Sequence, residues 1–105
     1  MEQPNLTYIE SMSGGDKAFE QKLIDIIKSE FPQEKQIYLD NISAENFKEA
    51  AENVHKLKHK ISILGLVKSY EIAVDYENNL TNGNTERKSD FDSILQIITK
   101  YLTTL

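Results

Sequence analysis

One periodic segment of the chain carries the side chains that could do chemistry. From Phe47 to Leu64, apolar residues recur at spacings of three and four, which predicts an amphipathic helix. At about 100° per residue, His55 lies roughly 130° from the centre of the apolar stripe, so its side chain should be exposed. Four residues on adjoining turns fall within about 60° of His55. They are Ala51, Lys58, His59 and Ser62.

This exposed face is suited to holding a phosphoryl group. Histidine titrates near neutral pH, so a neutral imidazole is available as a nucleophile without strong activation. Lys58 lies one turn from His55 and could neutralise phosphoryl charge, and Ser62 could add a hydrogen bond. The sequence has no P-loop, no glycine-rich nucleotide loop and no kinase-type metal site. The chain could therefore carry a phosphoryl group, but it lacks the motifs that take one from ATP.

The helix that bears His55 is predicted to lie between two well-marked breaks. Ser43 should be its N-cap, and Gly65 should end it. Before it, Asp16 should cap a long helix that Pro32 kinks or divides and that ends near Asp40. Proline has this effect because it removes a backbone hydrogen bond and clashes with the preceding turn.

Three further helices are predicted from the remaining periodic segments. They cover Leu6 to Ser11, Val67 to Leu80 and a last stretch from near Ser89. No segment has the alternation of a half-buried strand, and the connections are short, so we expect an all-α fold. The predicted architecture is an antiparallel up-down four-helix bundle with a short additional N-terminal helix. Predicted stripe residues outside the His55 helix include Phe19, Leu23, Ile26, Ile27 and Phe31 in the long helix, and Tyr70, Ala73, Val74, Glu77 and Leu80 in the helix after Gly65.

Length and composition limit the possible classes of protein. The 105 residues suit a single domain over 1–105, and the absence of cysteine excludes disulfides and thiolate metal sites. A formal charge of -5 argues against nucleic-acid binding. No long apolar run or secretory signal is present, so we expect a cytoplasmic protein that does not enter a membrane.

The segment Val54-His55-Lys56-Leu57-Lys58-His59-Lys60-Ile61-Ser62-Ile63-Leu64-Gly65 resembles the motif of the histidine-containing phosphotransfer (HPt) family. These domains are the shuttle modules of multistep phosphorelays. The family pattern is His, any residue, Leu, Lys, Gly, four variable residues, a hydrophobic residue and Gly. Residues matching it in type and spacing are His55, Leu57, Lys58, Leu64 and Gly65. Outside this segment, the resemblance extends over essentially the whole chain, although only the twelve-residue motif is specific. The further similar features are Gly14-Gly15-Asp16 before a long helix, the small residues Ala50-Ala51 before the histidine, and a later helix that ends around Glu77.

The resemblance implies a role for each matching residue. His55 would accept the phosphoryl group, Lys58 would stabilise it, and Gly65 would end the helix. The surrounding face, with Ala51, His59, Ser62 and Gly65, would contact the partner. Expected partners are response-regulator receiver domains and a hybrid sensor histidine kinase, and a receiver would supply Mg²⁺. We expect a monomer with no cofactor or metal of its own.

His59 departs from the family pattern and leaves two alternatives open. The family usually has glycine at this position, and an imidazole adds bulk beside His55. The chain could therefore be a degenerate interaction module that binds a receiver or kinase without being phosphorylated. Alternatively, His55 and His59 could chelate a metal, with Glu52 one turn earlier, but two histidines are incomplete and Lys56 replaces the glutamate of HExxH.

The acidic residues of the neighbouring helices are interpreted as a solvated face. Glu45, Glu49, Glu52, Asp75 and Glu77 would otherwise suggest paired carboxylates for acid-base chemistry. Charged residues on surface helices are ordinarily exposed to water, so no catalytic carboxylate is predicted. The five tyrosines are interpreted as packing residues with a polar edge.

Overall fold

The computed structural model describes residues 2–105, and every regular element in that range is an α-helix. The five helices are α1 (Thr7–Ser13), α2 (Lys17–Ser43), α3 (Phe47–Ile63), α4 (Val67–Thr81) and α5 (Lys88–Leu102). The predicted all-α fold class is therefore confirmed. No helix within residues 2–105 is both long enough and apolar enough to cross a membrane.

The candidate site is carried by α3, which contacts both α2 and α4. In addition, α5 contacts α4 and α2, and α1 contacts α2. The predicted apolar stripe of α3 is buried over most of its length. Its fully buried members are Ala50, Val54, Leu57, Ile61 and Leu64. Burial of this stripe fixes the rotation of α3 and leaves the His55 face outside the core.

Asp16 begins α2 as predicted. Its Oδ1 atom accepts hydrogen bonds from the backbone N–H groups of Ala18 and Phe19, at 3.0 and 3.1 Å. These bonds satisfy two of the N–H groups that the first turn of a helix leaves without intrahelical partners. The N-terminus of α2 is thus fixed by a side chain that the sequence makes visible.

Pro32 does not divide α2. Of the two predicted effects, a kink or a division, the division is wrong, because one helix runs from Lys17 to Ser43. Its end is three residues later than the predicted end near Asp40. Phe31 and Tyr38, on either side of the proline, are 1% and 0% exposed. Packing of these two rings into the core holds the helix together across a residue that disfavours it, since tertiary context overrides local propensity.

The apolar face of α2 agrees with its predicted position only in part. Phe19 and Ile26 were expected in the stripe, but each is 42% exposed. The predicted burial of Ile27 and Phe31 is confirmed, and Ile24, which was not in the predicted stripe, is buried with them at spacings of three and four. Helix α2 contacts α1, α3 and α5, and its buried apolar residues include Ile24 and Ile27.

Ser43 is not the N-cap of α3, and the predicted start of that helix is wrong. Ser43 is the last residue of α2, and α3 starts after Asn46. The backbone N–H of Asn46 donates to the carbonyl of Asn41 at 2.8 Å, and that of Glu45 to Ile42 at 3.1 Å. These are the two bonds of a Schellman motif, in which Glu45 takes the left-handed position with φ 59°.

Residues before α1 lie against the junction between α3 and α4. The Glu2 carboxylate accepts hydrogen bonds from the backbone N–H groups of Lys68 and Ser69, at 3.1 and 2.7 Å. Asn5 donates its backbone N–H to the Leu64 carbonyl at 2.9 Å. Burial of Glu2 opposes ionisation, but the bonds from Ser69 and Lys68 outweigh it and lower the pKa of the carboxyl. Glu2 therefore supplies the N-terminus of α4 with a cap from a distant part of the chain.

A buried polar cluster joins α2, α4 and α5. The hydroxyl groups of Tyr38 and Tyr76 are 2.7 Å apart, and both residues are 0% exposed. Tyr38 donates to Asp92 Oδ1 at 2.8 Å, and Lys88 pairs with Asp92 Oδ2 at 2.6 Å. Burial raises the pKa of Tyr76 to about 12 and also raises the pKa of Tyr38. Each polar atom of the cluster has a partner, so the cluster fixes how three helices meet.

Tyr38→Phe should lower the free energy of unfolding by about 1–3 kcal/mol, because it leaves the buried Tyr76 hydroxyl without its partner. Urea denaturation at neutral pH measures the change. Tyr8→Phe is the matched control, since Tyr8 is 52% exposed and its change should stay within about 0.5 kcal/mol. Equal effects of the two substitutions would contradict a stabilising role for the cluster.

The same cluster predicts how stability depends on alkaline pH. Folding raises the pKa of Tyr76 to about 12, so the folded state favours the protonated phenol. This contribution is complete below the pKa of unfolded tyrosine, about 10, and is lost as the pH rises from there. We therefore expect the free energy of unfolding to fall between pH 10 and 12, as followed by urea titrations at several pH values.

Candidate functional site

His55 lies on the exposed face of α3, as its position in the helical repeat predicts. Its side chain is 54% exposed, whereas that of Lys58, one turn later, is only 13% exposed. The apolar stripe on the opposite face of α3 is buried, and this burial holds both residues at the surface beside α4. The His55 side chain is thus accessible to solvent, whereas the Lys58 side chain is largely covered by its neighbours.

Glu77 of α4 connects these two residues. Its Oε2 atom lies 3.1 Å from His55 Nδ1, and its Oε1 atom lies 2.9 Å from Lys58 Nζ. An ionised carboxylate only accepts hydrogen bonds, so this contact requires the His55 tautomer in which Nδ1 carries a hydrogen and donates. The lone pair of the neutral imidazole is then on Nε2, the nitrogen that does not contact Glu77.

Lys58 has a second neighbour on α4. Its Nζ atom lies 5.9 Å from the centroid of the Tyr70 ring, within the range of a cation–π contact. Tyr70 was predicted to belong to the apolar stripe, but this prediction is wrong, because the residue is 36% exposed. Glu77 and Tyr70, two helical turns apart, therefore hold the ammonium group of Lys58 next to His55.

His59 also lies against His55. The centroids of the two rings are 5.1 Å apart, and the ring planes meet at 89°. His59 is exposed and does not separate His55 from Glu77. The imidazole that replaces the expected glycine therefore covers one side of His55 without disturbing the hydrogen bond at Nδ1.

A shallow groove of about 480 Å³ runs beside His55 between α3 and α4. Its lining residues combine both signs of charge with a small apolar floor. They are Lys48, Ala51, Glu52, His55, Lys56, Glu77 and Thr81. The groove gives a molecule or a partner side chain lateral access to the imidazole.

The other predicted contact residues occupy different positions. Ala51 was expected on the exposed face but is 7% exposed, because α4 packs beside this part of α3 and covers a small side chain. Ala51 therefore forms the floor of the groove. Ser62 is exposed, but it makes no hydrogen bond to His55 or Lys58. Its expected part in the phosphoryl site remains a prediction about the loaded state.

Gly65 ends α3 as predicted and lies away from His55. Its φ of 76° is in the left-handed region, and a Cβ atom built there would lie 2.6 Å from Asn5 Nδ2. About ten residues of helix separate it from His55, a distance of about 15 Å. Gly65 therefore has a structural reason to be glycine that does not depend on a partner.

Glu77 is the site residue that sequence reasoning missed, because it was interpreted as part of a solvated acidic face. Its side chain is 24% exposed and contacts both His55 and Lys58. The spacing along α4 was a signal that could have found it, because Glu77 follows Ala73 by four residues and precedes Leu80 by three, on the predicted stripe, whereas Glu71 and Asp75 lie off that stripe. Its role depends on how α4 is aligned with α3, and that alignment is a property of the packing.

Together, these residues form an accessible imidazole with a fixed proton, a carboxylate behind it and a lysine beside it. Such a set can support nucleophilic attack by Nε2, and its carboxylate can neutralise positive charge that forms on the ring. Comparison of the chain with protein families, with curated proteins and with solved structures finds no match.

Proposed function

We propose that this protein is a phosphorelay intermediate that carries a phosphoryl group on His55. The arrangement of His55, Glu77 and Lys58 is the observation that carries this proposal. It combines an exposed ring with a carboxylate 3.1 Å from Nδ1 and a lysine 2.9 Å from the same carboxylate. The motif around His55, which resembles that of HPt domains, supports the same function.

The proposed architecture is the antiparallel up-down four-helix bundle formed by α2 to α5, with α1 as the additional N-terminal helix. The contacts of α3 with α2 and α4, and of α5 with α4 and α2, support it. In a bundle of this kind, functional groups are presented on neighbouring helices. His55 and Lys58 come from α3, and Glu77 comes from α4.

In the proposed transfer, His55 Nε2 attacks the phosphorus of a phospho-aspartate on a receiver domain. The new N–P bond forms as the P–O bond to the aspartate breaks, and the carboxylate leaves with the bonding pair. The proton on Nδ1 stays in place, so the phosphorylated ring is positively charged and faces Glu77. Transfer to a second receiver aspartate is the reverse of this reaction.

Each neighbouring charge has a defined part in this step. Glu77 orients the ring and stabilises its positive charge, by the same logic as a carboxylate that supports a catalytic histidine. Lys58, one helical turn from His55 and bonded to the same carboxylate, would neutralise charge on the phosphoryl oxygens. The partners would be receiver domains and a hybrid sensor histidine kinase in the cytoplasm, and Mg²⁺ would come with the receiver.

His59 favours a second candidate function. Its ring stands 5.1 Å from that of His55, on a surface where the family motif has glycine. A receiver that cannot approach the ring closely could still bind the face formed by α3 and α4. The protein would then be an interaction module that holds a receiver or kinase without accepting its phosphoryl group.

Phosphoryl transfer from a labelled partner tests these alternatives. The purified chain would be mixed with radiolabelled phospho-receiver domains and hybrid kinases from the same organism, and acid-labile label on the chain would be followed. We expect label on the wild type and none on His55→Gln, which keeps a polar side chain without the nucleophilic nitrogen.

Two results would overturn the proposal. Label on both proteins would place the acceptor at another residue, and no label from any partner, with binding retained, would favour the interaction module. The His59→Gly variant removes the second imidazole, so its labelling rate compared with that of the wild type measures the steric effect of His59. Faster labelling of this variant would identify His59 as a steric restraint on a working site.

A further inference from the structure

His55 and His59 are arranged in a way that suits metal binding, a role that phosphoryl chemistry does not require. They lie one helical turn apart, both are exposed, and their ring centroids are separated by 5.1 Å. Histidines at positions i and i+4 present two imidazole nitrogens on one side of a helix. This is the spacing with which a single helix supplies two ligands to a zinc ion.

Glu77 prepares His55 for metal binding as well as for phosphorylation. A metal-ligating histidine commonly donates its other ring N–H to a carboxylate, which fixes the tautomer and raises the basicity of the ligand nitrogen. His55 Nδ1 lies 3.1 Å from Glu77 Oε2, so Nε2 is the nitrogen left for a ligand. The His59 ring packs against that of His55 and makes no hydrogen bond within residues 2–105, so its nitrogens are also available.

We propose that His55 and His59 form an exchangeable site for a divalent transition metal such as Zn²⁺, and that the bound ion blocks His55 as a phosphoryl acceptor. Among residues 2–105, no group of three or more His, Cys, Asp or Glu side chains could hold a metal. Water therefore completes the coordination, as it does at open zinc sites. The blocking effect rests on the proposed function, whereas the chelation does not.

The ligand chemistry defines which ions the site would take. Imidazole nitrogen suits zinc, copper and nickel, whereas Mg²⁺ and Ca²⁺ prefer oxygen ligands. Cu²⁺ should bind more tightly than Zn²⁺, in the usual order of the divalent metals. Because a metal ion and a phosphoryl group both need the lone pair on His55 Nε2, the two cannot occupy the ring together.

Calorimetric titration of the full chain with ZnSO₄ tests the chelation. We expect one Zn²⁺ per chain, no binding of Mg²⁺, and a loss of zinc affinity of roughly tenfold or more in His59→Gln and in Glu77→Gln. Glu71→Gln is the matched control for Glu77, because it removes an exposed charge from the same helix without touching His55. It should bind zinc as the wild type does.

Two results would overturn the chelate. One is zinc affinity unchanged in His59→Gln. The other is wild-type affinity no higher than that of the double variant His55→Gln/His59→Gln. Far-UV circular dichroism of each variant verifies that its helices are intact.

Labelling in the presence of Zn²⁺ tests the blocking effect. Zinc should slow phosphorylation of the wild type and leave phosphorylation of His59→Gln unaffected. Because both proteins meet the same partner, the variant also controls for any effect of zinc on the partner. Equal slowing of both proteins would overturn the block. If the wild type binds zinc but takes no label from any partner, the proposed function fails and the metal site stands. If it takes label but binds no zinc, the metal site fails and the proposed function stands.

Discussion

Glu77→Ala should slow the proposed transfer of a phosphoryl group to His55 on the order of 100-fold. Without the carboxylate, the imidazole loses the hydrogen bond that keeps its proton on Nδ1, and the lone pair is no longer confined to Nε2. The positive charge that forms on the phosphorylated ring also loses its counter-charge. Lys58, at 13% side-chain exposure, would be left without its ion-pair partner.

Single-turnover labelling from a phospho-receiver measures this rate, and Glu71→Ala is the matched control on the same helix. The rate of Glu77→Gln should fall between those of the wild type and the alanine variant, because an amide oxygen can accept the hydrogen bond from Nδ1–H but carries no charge. The nitrogen chemical shifts of His55 report the tautomer independently of transfer. A Glu77→Ala rate close to that of the wild type would show that the carboxylate has only a structural role.

Leu57→Ala should lower the free energy of unfolding by about 2–5 kcal/mol. Leu57 is 0% exposed and lies on the buried face of the helix that carries His55. Truncation removes apolar contacts and leaves a cavity between α3 and its neighbours, which relax only in part. A small domain is stable by only about 5–15 kcal/mol, so this single change removes a large fraction of its stability.

Urea denaturation followed by far-UV circular dichroism measures the effect of Leu57→Ala. Val67→Ala serves as its control, because Val67 is 68% exposed and truncation there should change stability by no more than about 0.5 kcal/mol. Similar losses in the two variants would mean that the stripe of α3 does not dominate the core. A stable Leu57→Ala protein would contradict the packing described for α3.

Helix ends could be predicted where a side chain or a glycine marks them. Asp16 caps α2 with its own carboxylate, and Gly65 ends α3 with the left-handed φ that glycine favours. The end of α2 carries neither mark, because Glu45 takes the left-handed position. A left-handed conformation costs a side-chain-bearing residue about 1–2 kcal/mol, so nothing in the residue types leads one to expect it there.

Some residues of the candidate site could likewise be predicted from the sequence, whereas another depends on how the helices pack. His55 and Lys58 share one face of one helix, and their relation follows from the helical repeat alone. Glu77 reaches both of them from another helix, 22 and 19 residues away along the chain. The periodicity of α4 defines its apolar face but not its sliding position along α3, which depends on side-chain packing.

Tyr38 and Tyr76 provide the protein with an internal optical probe. The chain contains no tryptophan, so its near-UV circular dichroism arises from tyrosine and phenylalanine alone. The rings of Tyr38, Tyr76 and Phe91 pack against one another with centroids 5.1 to 6.2 Å apart. A variant that keeps its helices but loses fixed packing would retain the far-UV signal and lose the near-UV signal. Spectroscopy without any label therefore distinguishes a loosened core from an unfolded chain.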